Sequence, residues 1–219
     1  MTGKDVEFFM ACSDAGFIRG HMLEIGSAKV QGTPNLCDLA RELGVEATTG
    51  VDMQLIDGVD AVFDFSLSTE SFKTSWRLGR FSTVCIFNVL EHTFDPLTIL
   101  SNALQCVEPG GSLIVVVPSA WPIHRYPADY VRLLPDWYQK FADINKITLR
   151  DSHFCWLSDF GVEVMDKNNI MQLPGFISRG LKASKTRYWA SRLIHKLFNT
   201  YGRSHWATNS AIGAVFQIP

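Results

Sequence analysis

Short strand-like runs at residues 21–25, 47–52, 81–88 and 113–117 alternate with stretches of helical periodicity, and this alternation constrains the fold more than any other feature. The runs at 81–88 and 113–117 are apolar almost throughout, so they have no side to give to solvent and must be covered on both faces. Strands at this pace are joined by right-handed crossovers into a parallel sheet. The expected architecture is α/β, a doubly wound sheet with helices on both faces. Ligands of such sheets bind at the carboxyl ends of the strands, near the switch in strand order.

The punctuation between the runs sets further expectations. Residues 34–43 read as a helix with Thr33 as N-cap, Pro34 at the first helical position and Gly44 just past its end. A short third strand is expected within 61–65. Residues 95–107 read as a helix capped by Asp95 and opened by Pro96, with Leu97, Leu100, Leu104 and Val107 on one face. Glu108-Pro109-Gly110-Gly111 reads as a tight turn. Beyond Pro118 the chain becomes rich in aromatic residues, prolines and charges, as an irregular loop leading into a short helix. Residues 162–165 and 211–216 read as strands, and 185–201 as an amphipathic helix. The whole is read as one domain over residues 1–219: a core at 20–118, a substrate-side loop or lobe at about 119–160, and a C-terminal helix and strands at 161–219.

Composition narrows the classes of function. A chain of 219 residues that is 47% hydrophobic and 19% charged can bury a sizeable core. The net charge of -2 carries no electrostatic footprint for a phosphate backbone, and no nucleic-acid partner is expected. A basic stretch with Arg179, Lys182, Lys185, Arg187, Arg192 and Lys196 reads as the solvated face of the C-terminal helix. The five cysteines are scattered and form no CxxC pair, which argues against disulfides and zinc and for a reducing compartment. No apolar run reaches the roughly 18 residues of a membrane span, and residues 1–17 do not read as a signal peptide. The expected location is cytoplasmic, without stable membrane insertion.

The residues that carry chemistry lie at the strand ends. Leu23-Glu24-Ile25-Gly26-Ser27-Ala28, followed by Gly32, takes a strand into a glycine turn and then a helix. Glycine lets backbone approach a ligand closely. The GxGxxG spacing that a dinucleotide pyrophosphate needs is absent, which argues against a nicotinamide-dependent oxidoreductase. An adenosine ligand without a phosphate fits a looser turn, and Glu24 can position an ammonium group directly or through water. Asp52, ending the second strand, can accept both hydroxyls of a ribose; on its own it would be an ordinary strand-end acid. Asp64 and Phe65 suit an adenine amino group and ring, or else a turn acid and a core aromatic. Asn88 and Leu90 stand where the fourth strand emerges, with Glu91 and His92 beside them.

Leu23-Glu24-Ile25-Gly26, Gly50-Val51-Asp52, Asn88-Val89-Leu90-Glu91-His92 with Asp95-Pro96, and Glu108-Pro109-Gly110-Gly111 together resemble the ordered motifs of the class I S-adenosylmethionine-dependent methyltransferases, closest to the group that includes the ubiquinone-biosynthesis enzymes. The resemblance covers roughly residues 20–118. It implies a Rossmann-like sheet of seven strands in the order 3-2-1-4-5-7-6 with the last strand antiparallel. It implies S-adenosylmethionine as cofactor and S-adenosylhomocysteine as product, with Glu24, Gly26, Asp52 and Asn88 lining the site, Leu90 and His92 close by, and Ser27 in the turn. The family usually carries glycine where this chain has Ala28.

A second stretch, Trp121 to Pro135, is similar to a segment of bacterial methyltransferases associated with surface-polysaccharide assembly. Following the fifth strand, it would overhang the mouth of the site. Trp121, Tyr126 and Tyr130 can stack on a sugar or other ring, and Arg125 and Arg132 can pair with a carboxylate or phosphate; the plainer account is a proline-stiffened loop packed on the sheet edge. The expected activity is methyl transfer to a small-molecule or saccharide acceptor, mainly O-methylation. A hydroxyl acceptor calls for a general base, for which His92, His124 and Asp129 are the candidates. No metal is called for. The alternative is a catalytically degenerate member of the fold acting as a binding module.

Overall fold

The computed structural model describes residues 1–30, 33–125, 127–159, 161–166 and 209–219. At its centre β1 (His21–Ile25), β2 (Ala47–Asp52), β3 (Ala61–Val62), β4 (Phe81–Phe87) and β5 (Val107–Ala120) pair in parallel in the order β3-β2-β1-β4-β5. The C-terminal β9 (Ser210–Gln217) lies antiparallel beside β5 and brings β6 (Thr148–Leu149), β7 (Cys155–Ser158) and β8 (Gly161–Val164) into the same sheet.

The expected order is thus present, with β9 in the seventh place between β5 and the sixth-place strand. Nine strands rather than seven form the sheet among the described residues, for two local reasons. The sixth place is divided, because β6 pairs with residues 216–217 of β9 and β7 with residues 210–213, the two being separated by a short 3-10 turn at Asp151–His153. Beyond it β8 folds back on β7 as an added antiparallel edge.

Side-chain alternation along the strands divides the core in two. Met22, Cys85, Ile114, Val116 and Val215 face α1 (Gly3–Asp14) and α2 (Leu36–Glu42), packing with Phe8, Phe9, Leu36 and Ala40. Leu23, Val84, Ile86, Leu113 and Val115 face the opposite layer, built from α3 (Thr69–Ser75), α4 (Pro96–Gln105) and α5 (Pro135–Asn145). All five cysteines are free and buried, as small core residues. Among the described residues no helix is long and apolar enough to cross a membrane.

Several local expectations are corrected. The helix expected over 34–43 starts at Leu36, and its N-cap is Asn35, whose side chain accepts from the Asp38 amide; the Thr33 hydroxyl donates instead to the Val30 carbonyl. Residues 108–111 are not a turn between elements but an excursion within β5: Phe81 faces Val107 and Thr83 faces Ser112, so the intervening residues bulge out. The third strand stops at Val62 because Phe63 and Phe65 leave it for an aromatic cluster with Phe72 and Trp76. The helix at residues 185–201 and the basic residues of that stretch lie outside the described residues. The N-terminal helix α1 was not anticipated; Thr2 and Asp5 close it with a reciprocal capping box.

The buried face of α4 is also rotated from the expected one. Ile99, Leu100, Asn102 and Ala103 are buried, and Leu97 is half exposed. The side chain responsible is Asn102, whose amide donates to the Phe65 and Leu67 carbonyls at 2.9 and 2.8 Å. It satisfies two backbone acceptors that the aromatic cluster keeps from water. Replacing Asn102 by Ala is expected to cost about 2 kcal/mol, read as a lowered urea midpoint at unchanged slope; a shift under about 0.5 kcal/mol would mean these carbonyls find other donors.

Candidate active site at the strand ends

The alternation that sends Met22 toward α2 sends Glu24 the same way. Its carboxylate is buried and accepts from the first amides of α2, Leu36 N at 3.1 Å and Cys37 N at 2.8 Å. The anion meets the positive end of the helix and fills two donors that no helical carbonyl can reach. Burial outweighs these bonds and pushes the carboxyl up to about 7. Glu24 therefore anchors the helix that follows the glycine turn, with both oxygens engaged.

Gly26 adopts φ 85°, and a Cβ there would lie 2.2 Å from Val89 Cγ2. Both its conformation and this contact require glycine. The Gly26 and Ser27 amides donate to the Val51 carbonyl, so the turn folds over the end of β2. Gly50 has a similar role from below: a Cβ there would meet Ser27 Oγ at 2.6 Å. The Ser27 hydroxyl is buried without a hydrogen-bond partner. Asp52 closes the cradle. Its carboxylate accepts from the Ala28 amide at 3.4 Å across the turn and from its neighbour Met53 at 2.6 Å, and it is only half buried. Lys29 turns away, pairing with Asp38 at 2.9 Å. Gly32 lies outside the described residues.

The remaining expected cofactor residues separate into different environments. Asp64 accepts from the Ser66 amide and hydroxyl in a local turn. Phe65 is buried in the aromatic cluster, where it packs rather than lining an open cleft. Leu90 is fully buried in the core. Asn88 takes the left-handed conformation, φ 54°, and its amide donates to Asp5 at 3.0 Å, tying the end of β4 to the start of α1.

Immediately after Asn88, a single 3-10 turn at Leu90–His92 carries the second half of the site. The loop of residues 121–134 is fastened across it. The Tyr130 amide donates to the Glu91 carbonyl at 2.7 Å, and His92 Nδ1 is hydrogen-bonded to the Ala128 carbonyl. A carbonyl only accepts, so His92 carries a proton on Nδ1. Asp129 pairs with Arg132 through both oxygens and accepts from the His124 amide at 2.9 Å. The guanidinium holds the Asp129 carboxyl well below the usual range.

These bonds bring the two histidines together, with ring centroids 5.0 Å apart. Between them stands Glu91, fully buried, with neither carboxylate oxygen hydrogen-bonded to another residue. Burial pushes this carboxyl up to about 7. Glu91 Oε1 is 3.7 Å from His92 Nε2 and 4.0 Å from His124 Nε2. Sequence reasoning placed His92, His124 and Asp129 here but missed Glu91 as a site residue. The only signal was an acid at a strand exit, which reads equally as a helix cap.

The loop residues expected to bind substrate divide as well. Trp121 lines a cavity of about 380 Å³ with Thr2, Lys4, Asp159 and Asn209. Tyr130 is exposed and meets the exposed Phe94 edge-on at 6.0 Å. Arg132 is committed to Asp129 and Arg125 is exposed. Tyr126 lies outside the described residues.

The Glu24 environment predicts a measurable pH effect. Its folded pKa of about 7 lies above the ordinary value of 4.5, so the folded state binds the proton more tightly. The stability this group contributes is full below pH 4.5 and is lost as pH rises to 7, a change of about 3 kcal/mol. In urea titrations at pH 5 and pH 8, Glu24→Gln should show a smaller fall in stability than the parent protein; equal falls would remove Glu24 as the source.

Comparison with known proteins identifies the family. A family model described as a methyltransferase domain matches residues 7–165. The ubiquinone biosynthesis O-methyltransferase of Xanthomonas euvesicatoria pv. vesicatoria is 25% identical over 166 residues, covering 73% of this chain and 63% of that protein. The chain thus matches somewhat under two thirds of that relative's length. Among solved structures, a SAM-dependent methyltransferase from Archaeoglobus fulgidus superposes with a TM-score of 0.55 at 13% identity, covering 98% of this chain and 94% of that one. The N-methyltransferase NodS from Bradyrhizobium japonicum WM9, in complex with S-adenosylhomocysteine, gives 0.52 at 13% identity, covering 98% and 86%. A family model that spans most of the chain, on a sheet of this order, makes the protein a member of the class I S-adenosylmethionine-dependent methyltransferases.

Proposed function

We propose that this protein transfers a methyl group from S-adenosylmethionine to a hydroxyl of a small-molecule or saccharide acceptor. The observation that carries the reading is a contact: the Gly26 turn is packed on Val89, two residues before Glu91 and three before His92. A cradle suited to an adenosine ligand and a cluster of titratable side chains therefore meet at one strand end. The Xanthomonas relative is an O-methyltransferase, which supports a hydroxyl acceptor.

The residues of the cradle fit the cofactor. The turn that only glycine at position 26 permits brings the Ala28 amide to the Asp52 carboxylate, which stands half-buried at the end of β2. Asp52 accepts the ribose hydroxyls. Glu24 acts one step removed, by fixing α2 and with it the turn. Bound S-adenosylmethionine supplies an electrophilic methyl group on a sulfonium. What this chain must add is alignment, exclusion of water and a destination for the acceptor proton. That destination is the group of His92, His124 and Asp129. Asp129 is held by Arg132 and serves best by orienting His124. Trp121 and Tyr130 offer ring faces to a cyclic acceptor.

Calorimetric titration with S-adenosylhomocysteine tests the cradle. Asp52→Ala should weaken binding at least about tenfold, or about 1.4 kcal/mol; undiminished affinity would take Asp52 out of the site. Failure of the parent protein to bind either S-adenosylmethionine or S-adenosylhomocysteine would leave the binding-module alternative.

A further inference from the structure

Glu91 poses a problem that the proposed methyl transfer does not solve. A fully buried carboxylate to which no other residue donates a hydrogen bond is costly in any fold. Its surroundings are not those of a neutral acid in an apolar core, because two imidazole nitrogens converge on one of its oxygens. The His92 ring is oriented by the Ala128 carbonyl at Nδ1, which turns Nε2 toward Glu91. The His124 ring has the Asp129 carboxylate 3.6 Å from Nδ1, which again leaves Nε2 on the Glu91 side. Two imidazoles share one carboxylate at the near nitrogen, and an oxygen faces each far nitrogen, hydrogen-bonded at His92 and 3.6 Å away at His124, an arrangement like that of ligands and supporting groups around a metal ion.

We propose that Glu91, His92 and His124 bind a divalent transition cation of the zinc or cobalt class. The ligand atoms lie within 4.8 Å of one another. Bonds of about 2.1 Å in a tetrahedral site separate ligand atoms by about 3.4 Å. Each histidine therefore closes on the Glu91 oxygen, from 3.7 and 4.0 Å, by a few tenths of an ångström, and the two imidazoles, within 4.8 Å of each other, need a larger side-chain rotation to converge on one ion. Two nitrogens and one carboxylate oxygen suit zinc, cobalt or iron rather than magnesium or calcium, which prefer all-oxygen sets. Three protein ligands leave a position open, as catalytic metal sites do. Both histidines are partly exposed, which gives an ion a path in.

The site would do two things. It would pin the loop carrying His124 to the strand exit carrying Glu91 and His92, adding a bond to the hydrogen bonds already there. Resting on the proposed O-methylation, it would also hold the acceptor hydroxyl in the open position. Coordination lowers that hydroxyl's pKa, its proton leaves to water, and the bound oxygen forms the new bond to the methyl carbon as the carbon–sulfur bond breaks. The imidazoles are then ligands, and the ion replaces a histidine base.

The test uses the full chain, freed of any affinity tag and stripped with chelator, titrated with cobalt(II) chloride and followed by visible absorption and calorimetry. One equivalent should bind and develop the d–d bands of a low-coordinate nitrogen–oxygen site. Glu91→Gln and His124→Ala should each weaken binding at least about tenfold, while His153→Ala, which lies elsewhere in the fold, should not. Binding of S-adenosylhomocysteine and the thermal midpoint, measured on every variant, report folding separately. Absence of stoichiometric cobalt binding in the parent protein would overturn the proposal, as would binding that His124→Ala leaves intact. In either case S-adenosylhomocysteine affinity decides independently whether the cofactor reading stands.

Discussion

The organisation of the site rests on one buried interaction, the Glu24 carboxylate receiving the first amides of α2. A strand that ends in a glycine turn has no intrinsic reason to aim the next helix in one direction. The buried acid supplies that direction, because its two oxygens can be satisfied only if the helix begins opposite them. With α2 placed, Asn35 at its cap donates back to the Ser27 and Gly58 carbonyls, and the turn is closed from above and below. Asp52 then meets the turn from the neighbouring strand. The cradle follows from one electrostatic choice made inside the protein, not at its surface.

The second half of the site depends on the first through shape. Gly26 without a side chain lets Val89 approach, and Val89 carries the chain into the 3-10 turn of Glu91 and His92. The overhanging loop is fixed to this turn by backbone bonds at Tyr130 and Ala128 and internally by the Asp129–Arg132 pair. The loop is irregular but not loosely attached. Its polar groups bond to a turn that the sheet already holds rigid.

Much of this was legible in the sequence. The parallel pairing of the central strands followed from apolar runs too complete to face water, and both the strand order and the antiparallel final strand were implied by the resemblance. The Asp95 cap and the Pro96 start of α4 could be read from local chemistry. What was not legible depended on distant partners. Asn35 outcompetes Thr33 as a cap because its amide also reaches the Ser27 and Gly58 carbonyls. Asn102 rotates α4 because carbonyls far earlier in the chain need donors. Phe65 reads equally as a ring for adenine or for the core, and only the positions of Phe63, Phe72 and Trp76 decide. Glu91 and His124 could not be joined from sequence, because no spacing rule links a strand exit to the far side of a loop.

The antiparallel strand at the heart of the sheet has a consequence for how the chain folds. Ser210–Gln217 sits between β5 and the strands β6 and β7, buried over seven of its eight residues. Everything needed to form the β1–β5 half is present by residue 120, yet β6 and β7 have no neighbour on that half until β9 arrives. During synthesis the nascent protein must therefore wait with the apolar edge of β5 unpaired, a surface that invites pairing with other chains. Closing it demands contacts over a long stretch of sequence, which slows the final step. A chain cut short before residue 210 would lose more than a terminal strand: it would leave two half-sheets with no means of joining.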